Sequence, residues 1–490
     1  MSVKKLGMAS LLTLFAAMAV PSMASADVAE DLAAKAMELD MVWVAVATIL
    51  VFLMQAGFMF LEIGFSRMKN AGTGVAKIFM NLAIVTIAWW AVGYAISGTG
   101  NDFFGEYGFF FHFDQTIGSG EEAFNVAASD TMLMLFGLAF CAVSLAIVWG
   151  TTLERIKFGA YVVYAAVFGA IIYPLIAHAV WGGGLLADVG GKPVMDFAGS
   201  SVVHLTGAVG GLAALLLLGA RKGKYAADGT PRAIPGHSMP LVGLGVIILW
   251  IGWFGFNGGS TFATEGSFFG EAMLNTQLAA AAGVIGASLL VYLKTKALDV
   301  GMAGNGAIAG LVGITAPAGF VEYWAAPIIG LVAGFVVVLC VLGFEKILDD
   351  PIGALSAHGA AGIWGTLAVG IFASPRLVVD GAAPGIWYGI FGDASFGSTL
   401  GQLAVQGLAV VLTFVVVFVL SYATFAIIKA TIGLRVSEAE EDAGLDISSH
   451  GMYGYPEAFI PQPEYPSIGH TPTMAGTPIA TPGEATAEQA

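Results

Sequence analysis

Two histidines stand at matching places in this 490-residue chain. Asp196-Phe197-Ala198-Gly199 is followed by His204, eight residues after the aspartate, and Asp350-Pro351-Ile352-Gly353 is followed by His358, again eight after. Gly211 and Gly365 share an offset in these two segments, as do Ala214 and Ala368. Imidazole accepts, donates or relays a proton near neutral pH. A single histidine in an apolar run is ordinarily a hydrogen-bonded packing residue. Two at mirrored positions, among seven in the chain, point to a shared task, because ionisable groups inside a membrane are rare and mark conduction or proton paths. A second set of residues offers complementary chemistry. Phe136 and Phe140 lie one turn apart, Trp181 precedes three glycines, and Gly252 to Ser260 includes Trp253 and Phe256. Most tryptophans in such chains are interfacial anchors. Aromatic faces also hold desolvated cations, each good contact being worth about 2 kcal/mol once water is excluded, and the Ser260 hydroxyl can replace a lost water.

The elements that carry these residues are set by composition. Apolar residues make up 57% of the chain and charged ones 11%, against roughly 25% charged in soluble domains. A soluble fold could not cover its core with so little polar surface. Eleven apolar segments are long enough to span a hydrocarbon layer, at about 20 residues each: 41–65, 73–98, 130–151, 157–180, 201–220, 239–256, 273–295, 301–318, 322–345, 355–373 and 400–430. The last is long enough to tilt or continue past the membrane, and the eighth is short and Gly-rich. The pattern predicts an all-α integral membrane protein.

Residues 1–26 read separately. Lys4 and Lys5, an apolar run from Leu11 to Val20, and Ala24-Ser25-Ala26 form the pattern of a secretory signal peptide. Alternate loops carry most of the Lys and Arg, including Arg67, Lys69, Arg155, Lys157, Arg221, Lys222, Lys224 and Lys346, while 99–129 is acidic. By the positive-inside rule the mature N-terminus lies outside and the C-terminus in the cytoplasm. An odd number of spans agrees.

Transporters of this size often consist of two inverted halves with the substrate path between them. Asp196 and Asp350 are placed to cap the fifth and tenth spans, Pro351 taking the tolerated first position. Eight residues of helix put each histidine ~12 Å beyond its cap. The two spans enter from opposite faces of a ~30 Å layer, so the histidines are expected to meet near its middle. The net charge of −15 argues against nucleic-acid binding. Cys141 and Cys340 fall in apolar segments and read as buried thiols. No cofactor is required by any motif.

Taken together, Trp181 to Gly184, Asp196 through His204 to Arg221, Gly252 to Ser260, and Asp349-Asp350-Pro351 through His358-Gly359 resemble the Amt branch of the Amt/Mep/Rh ammonium transporters. The likeness covers about 40 to 455. It implies eleven transmembrane helices, with two inverted five-helix repeats and a final long helix, assembled as a homotrimer with one pore per subunit. It implies an outer ammonium site made by Phe140, Trp181 and Ser260, helped by the Ala198 carbonyl and supported by Asp196. Phe136, Phe140, Phe256 and Trp253 would line or gate the pore, and His204 and His358 would be its twin histidines. Domain organisation follows: signal peptide 1–26, transporter domain 27–435, cytoplasmic regulatory region 436–455, and a Pro-, Thr- and Ala-rich tail 456–490 expected to be disordered. The segments Gly433 to Val436 and Glu441 to Gly451 resemble the region that couples subunits and responds to a PII-type signalling protein. Two positions depart from the pattern: Gly353, where some members carry an acid, and Gly137, where some carry a polar residue.

The resemblance implies uptake of ammonium, and of methylammonium as an analogue, across a bacterial inner membrane. Ammonium and potassium ions are alike in size and charge, but only ammonium can surrender a proton and cross an apolar constriction as a neutral molecule. Two other readings use the same residues. The histidines could ligate a haem axially, although no haem-attachment motif is present. The tail could make the chain an ammonium sensor.

Overall fold

The computed structural model describes the backbone of residues 3–111 and 121–459, and side chains from residues 31–110 and 130–459. Ten helices in the described residues are long and apolar enough to cross a membrane, and one shorter apolar helix joins them. In chain order they are α1 (Asp31–Phe65, continuous with helix upstream to Val3), α2 (Met68–Ser97), α3 (Asp130–Thr151), α4 (Phe158–Trp181), α5 (Ser200–Leu218), α6 (Met239–Gly258), α7 (Glu265–Thr295), α8 (Val300–Thr315), α9 (Ala325–Phe344), α10 (Leu355–Phe372) and α11 (Phe396–Thr431). Every expected span has its helix, including the short Gly-rich eighth. Helices satisfy their own backbone groups, which is what a lipid solvent demands.

Small residues set the packing. α7, α8 and α9 touch backbone to backbone, and a methyl added at Gly306 would stand 2.6 Å from the Gly283 carbonyl oxygen. Exposed Leu, Ile, Val and Phe cover the outside of the bundle, as on Leu289, Ile328, Val411 and Val419. Five spans contain a π-helical turn: Trp89–Gly93, Phe168–Ile172, Ser200–Leu205, Phe254–Gly258 and Leu355–Ala360. Both histidines sit on such a turn, one in α5 and one in α10.

The helix starts correct the expected cap geometry. Asp196 and Asp350 do not directly precede their helices. A short segment intervenes in each case, and each contains a left-handed glycine, Gly199 at φ +114° and Gly353 at φ +75°. The histidines therefore lie about one turn inside their helices rather than ~12 Å, and the non-helical lead-in segments do the rest of the reaching. The left-handed conformation also explains Gly353, since a side chain there is strained. At Gly137 the reason is space: an added methyl would meet the Trp89 ring at 2.7 Å.

One end of the bundle is basic, carrying the loops with Arg67, Arg155, Arg221 and Arg435. There Arg67 pairs with Glu154 at 2.5 Å and Arg221 holds Asp349 at 2.9 Å. Arg155, fully buried, donates to the Asp349 carbonyl at 2.7 Å. Burial opposes the charge on Asp349, but the Arg221 hydrogen bonds and the two guanidinium charges outweigh it, and its carboxyl falls to about 2. The segment after α11 folds back onto this end through two short helices, α12 (Glu438–Ala443) and α13 (Leu445–His450). Asp446 accepts from the amides of Gly72 at 2.9 Å and Thr73 at 2.8 Å, at the start of α2. Arg435 pairs with Glu441 at 2.6 Å, and Lys222 with Asp442 at 2.5 Å. The expected regulatory region 436–455 is thus a packed strap as far as Gly454. A second unit begins at Tyr455. The expected disordered tail lies outside the described residues from 460 onward, and so do the side chains of the expected signal peptide. Cys141 is buried as expected, but Cys340 is only half-buried on α9.

Candidate functional site: an aromatic cavity above a histidine pair

At the end opposite the basic loops, a cavity of about 800 Å³ opens between α2, α3, α4 and the turn after α6. Phe136, Phe140, Trp181 and Ser260, all expected at the outer site or the pore, line it. Trp181 is 41% exposed and donates its indole N–H to the Asp196 carbonyl oxygen at 2.7 Å. Ser260 donates to the Phe256 carbonyl at 2.9 Å, which leaves its oxygen lone pairs for a donor in the cavity. Among the described residues no Lys or Arg lines this space. It is a wall of π faces with a hydroxyl, suited to a small cation that has shed part of its water.

Asp196 does not reach into the cavity. Its Oδ1 accepts from the amides of Gly199 and Ser200 at 2.8 and 2.9 Å, and its Oδ2 from Ser201 and Val202 at 2.8 and 3.1 Å. All four N–H groups belong to the start of α5 or the residue just before it. The carboxylate is a fourfold cap that fixes the turn bearing His204. Ala198 is fully buried, its amide donating to the Thr315 carbonyl at 3.1 Å, and it does not line the cavity.

The cavity floor is a pair of rings. Phe140 and Phe256 stack at 3.9 Å between centroids and 12° between planes. Phe136 packs on Phe140 at 4.4 Å. Beyond the stack, His204 meets Phe256 at 5.5 Å and lies face to face with Trp253 at 5.0 Å. Trp253 is held by its indole N–H on Thr315 Oγ1 at 2.9 Å.

His204 and His358 come together as their mirrored positions predict, Nδ1 to Nδ1 at 3.2 Å. At that separation one nitrogen donates and the other accepts, so a single proton lies between the rings. His204 Nε2 has no hydrogen-bond partner among the described residues. The imidazoles touch each other directly and leave no room for a porphyrin between them, so the axial-ligand reading does not fit. Phe58 covers His358 at 6.2 Å. Towards the basic end a second cavity, about 370 Å³, is lined by Arg221, Lys224, Asp299, Asn305, Asp350 and Ser356 among others. Neither histidine lines either cavity. Between the two spaces lies the buried histidine pair, flanked by the rings of Phe58, Trp253 and Phe256.

Four aromatic residues of the cavity escaped the sequence reading. Phe262, in a left-handed conformation at φ +53°, sets its ring edge-on to Phe136 at 5.3 Å at the mouth. Trp89, Tyr94 and Tyr173 add to the wall. Only Phe262 had a signal, two residues past Ser260 in the same turn-rich segment.

Comparison with known proteins agrees with this architecture. Residues 42–455 match the Ammonium Transporter Family. The ammonium transporter Amt2 of Archaeoglobus fulgidus is 41% identical over 87% of this chain and 90% of its own length. The ammonium transporter of Bacillus subtilis is 34% identical over 86% of this chain and 99% of its own. Among solved structures, one described as a sensor Amt protein superposes with a TM-score of 0.77 at 32% identity, covering 85% of this chain and 99% of that one. Mep2 of Candida albicans superposes with a TM-score of 0.71 at 28% identity, covering 82% and 87%.

Proposed function

This chain belongs to the ammonium transporter family, a family of multi-pass membrane transporters rather than enzymes, and from that premise we propose how its residues move ammonium. The cation is collected by Phe140, Trp181 and Ser260 in the aromatic cavity and gives up a proton before the Phe140–Phe256 stack. Neutral ammonia passes the rings and the His204–His358 pair, and the proton crosses separately. The observation that carries this reading is the histidine pair at 3.2 Å, buried in a stretch flanked by aromatic rings. A bare potassium ion would have to enter that stretch charged, at a cost of several kcal/mol even after relaxation. Ammonia enters neutral and exchanges water for imidazole hydrogen bonds. Trp253 and Phe256 hold His204 in place, and Phe136 braces Phe140.

The basic end fits a cytoplasmic face and the aromatic cavity an outer face, which makes the transport an uptake across the inner membrane. Removal of residues 1–26 as a signal peptide agrees with that orientation. Assembly as a homotrimer, and docking of a PII-type protein near the strap, belong to the same reading. Methylammonium is the expected analogue substrate.

Purified protein in liposomes on a solid-supported membrane tests this. Ammonium pulses should give a transient current and potassium pulses none. Equal currents would refute the deprotonation step. His204→Ala or His358→Ala with unchanged selectivity would refute the role of the pair. A second reading draws on the solved relative described as a sensor: the strap, tied to α2 through Asp446, would report ammonium passage to a cytoplasmic partner. It predicts ammonium-dependent protection of residues 436–454 from proteolysis.

A further inference from the structure

Behind the passage wall, α1 and α2 face each other with four polar side chains sealed from solvent. Gln55 and Glu62 lie seven residues apart on α1, and Lys77 and Asn81 four apart on α2. None is more than 2% exposed. One end of this column is satisfied. Asn81 donates to Gln55 Oε1 and to the Ala142 carbonyl, both at 2.9 Å, and receives the Trp149 indole N–H at 3.0 Å. The other end is not. Both carboxylate oxygens of Glu62, the Nζ of Lys77 and the Nε2 of Gln55 have no hydrogen-bond partner among the described residues. Glu62 and Lys77 therefore do not meet in a direct hydrogen-bonded pair. Lys77 Nζ stands 6.0 Å from the centroid of the Tyr161 ring, whose hydroxyl donates to the Lys77 carbonyl.

An acid and a base buried together but not touching require something between them. Internal water occupies sites that offer it two to four polar partners, and this one offers two acceptors and two donor groups. The column also has a direction. Gln55 is one turn from Phe58, whose ring covers His358, so it lies near the depth of the histidines. Glu62 is three residues from the end of α1 at the basic loops, and Lys77 is two turns into α2.

We propose that Gln55, Glu62 and Lys77 form a hydrated proton relay running beside the ammonia passage. This rests on the reading above, in which ammonia and its proton part company. A hydronium in the column gives its proton to the Glu62 carboxylate: one water O–H bond breaks and a carboxyl O–H bond forms. Lys77 releases an N–H proton to water at the basic end, then takes the Glu62 proton through the intervening water. The pair returns to carboxylate and ammonium, with one proton delivered and no oxidation or reduction.

The test is the double variant Glu62→Gln/Lys77→Met in liposomes. It removes both charges at once, so neither is left buried alone, the situation that destabilises single variants most. Two signals are read together, the ammonium-pulse current and the luminal pH, which rises only where ammonia enters without its proton. The current should fall about a hundredfold, the lower end of what a positioned proton carrier contributes, while a luminal alkalinisation absent from the unsubstituted protein appears as ammonia enters without its proton. Lys77→Arg gives an independent arm, keeping the charge and hydration but not the proton release, and should lose current in the same way. A wild-type current in either variant would overturn the relay. Equal loss of current and ammonia influx would overturn it too, as the mark of a structural role. A wild-type protein that gives no ammonium current would refute the parent reading, and this one with it.

Discussion

Asp196→Asn separates a structural role for this residue from a cation-binding one. In the protein both carboxylate oxygens are spent on backbone: Oδ1 on Gly199 and Ser200, Oδ2 on Ser201 and Val202, at 2.8 to 3.1 Å. Asparagine keeps one oxygen and presents an NH₂ to the other two amides, which then have donors facing donors. Two hydrogen bonds to a charged acceptor are lost, each worth roughly 1.5–3 kcal/mol. The substitution should therefore cost about 3–6 kcal/mol where α5 begins. The site is buried, so water cannot repair it. Thermal unfolding in detergent, followed by tryptophan fluorescence, should show a clear fall in the midpoint. Transport current should fall with the folded fraction, because His204 rides on the same turn. An unchanged midpoint with a raised half-saturating ammonium concentration would refute the argument. That result would mean the carboxylate binds the cation directly.

Phe256→Ala removes the lower ring of the stack and should let potassium pulses produce a current absent from the unsubstituted protein, while costing about 3–5 kcal/mol of stability as a buried aromatic truncation; solid-supported membrane recordings and unfolding midpoints check the two effects. Asp349, held at about 2 against an ordinary 3.8, has a depressed pKa. Its stabilisation, about 2 kcal/mol, is therefore present above pH ~4 and lost as pH falls towards ~2. The gap in unfolding midpoint between the unsubstituted protein and Asp349→Asn should close over that window and stay constant from about pH 5 to 7. Asp446→Ala frees the strap from the amides of Gly72 and Thr73, and cleavage of residues 436–454 by added protease should speed up at least tenfold, the equivalent of losing just one of these charge-assisted hydrogen bonds.

The spans were legible because lipid imposes one rule on every segment. The end of α3 at Thr151 was predicted to the residue, although its helix begins upstream at Glu121, and the short α8 was found although its sixteen residues fall below the usual length. The histidine pair was legible through the repeated Asp-x-x-Gly spacing, which constrains the starts of α5 and α10 alike. What the spacing hid was the conformation of those starts. Asp350-Pro351 has the composition of a helix cap and first turn, yet Gly353 takes a left-handed turn and delays the helix. Phe262 depends on a positive φ that nothing in its residue type demands. The strap was read only through resemblance, because Asp446 meets Thr73 across 373 residues of chain. The Glu62–Lys77 column was invisible for a simpler reason. A lone acid and a lone base in two apolar helices carry no sign that they face each other.

On the proposed pathway the stack of Phe140 on Phe256 would set a tempo as well as a filter. A stacked aromatic pair is worth about 0.5–1.5 kcal/mol beyond its burial, so near the upper end of that range the rings part roughly a tenth of the time. Throughput is then the product of this duty cycle and the rate at which a small neutral molecule slips through during each brief parting. Crowding more substrate into the cavity cannot lengthen those intervals. Ring motion, not collection, would impose the ceiling on turnover, and that ceiling would rise with temperature even where binding weakens.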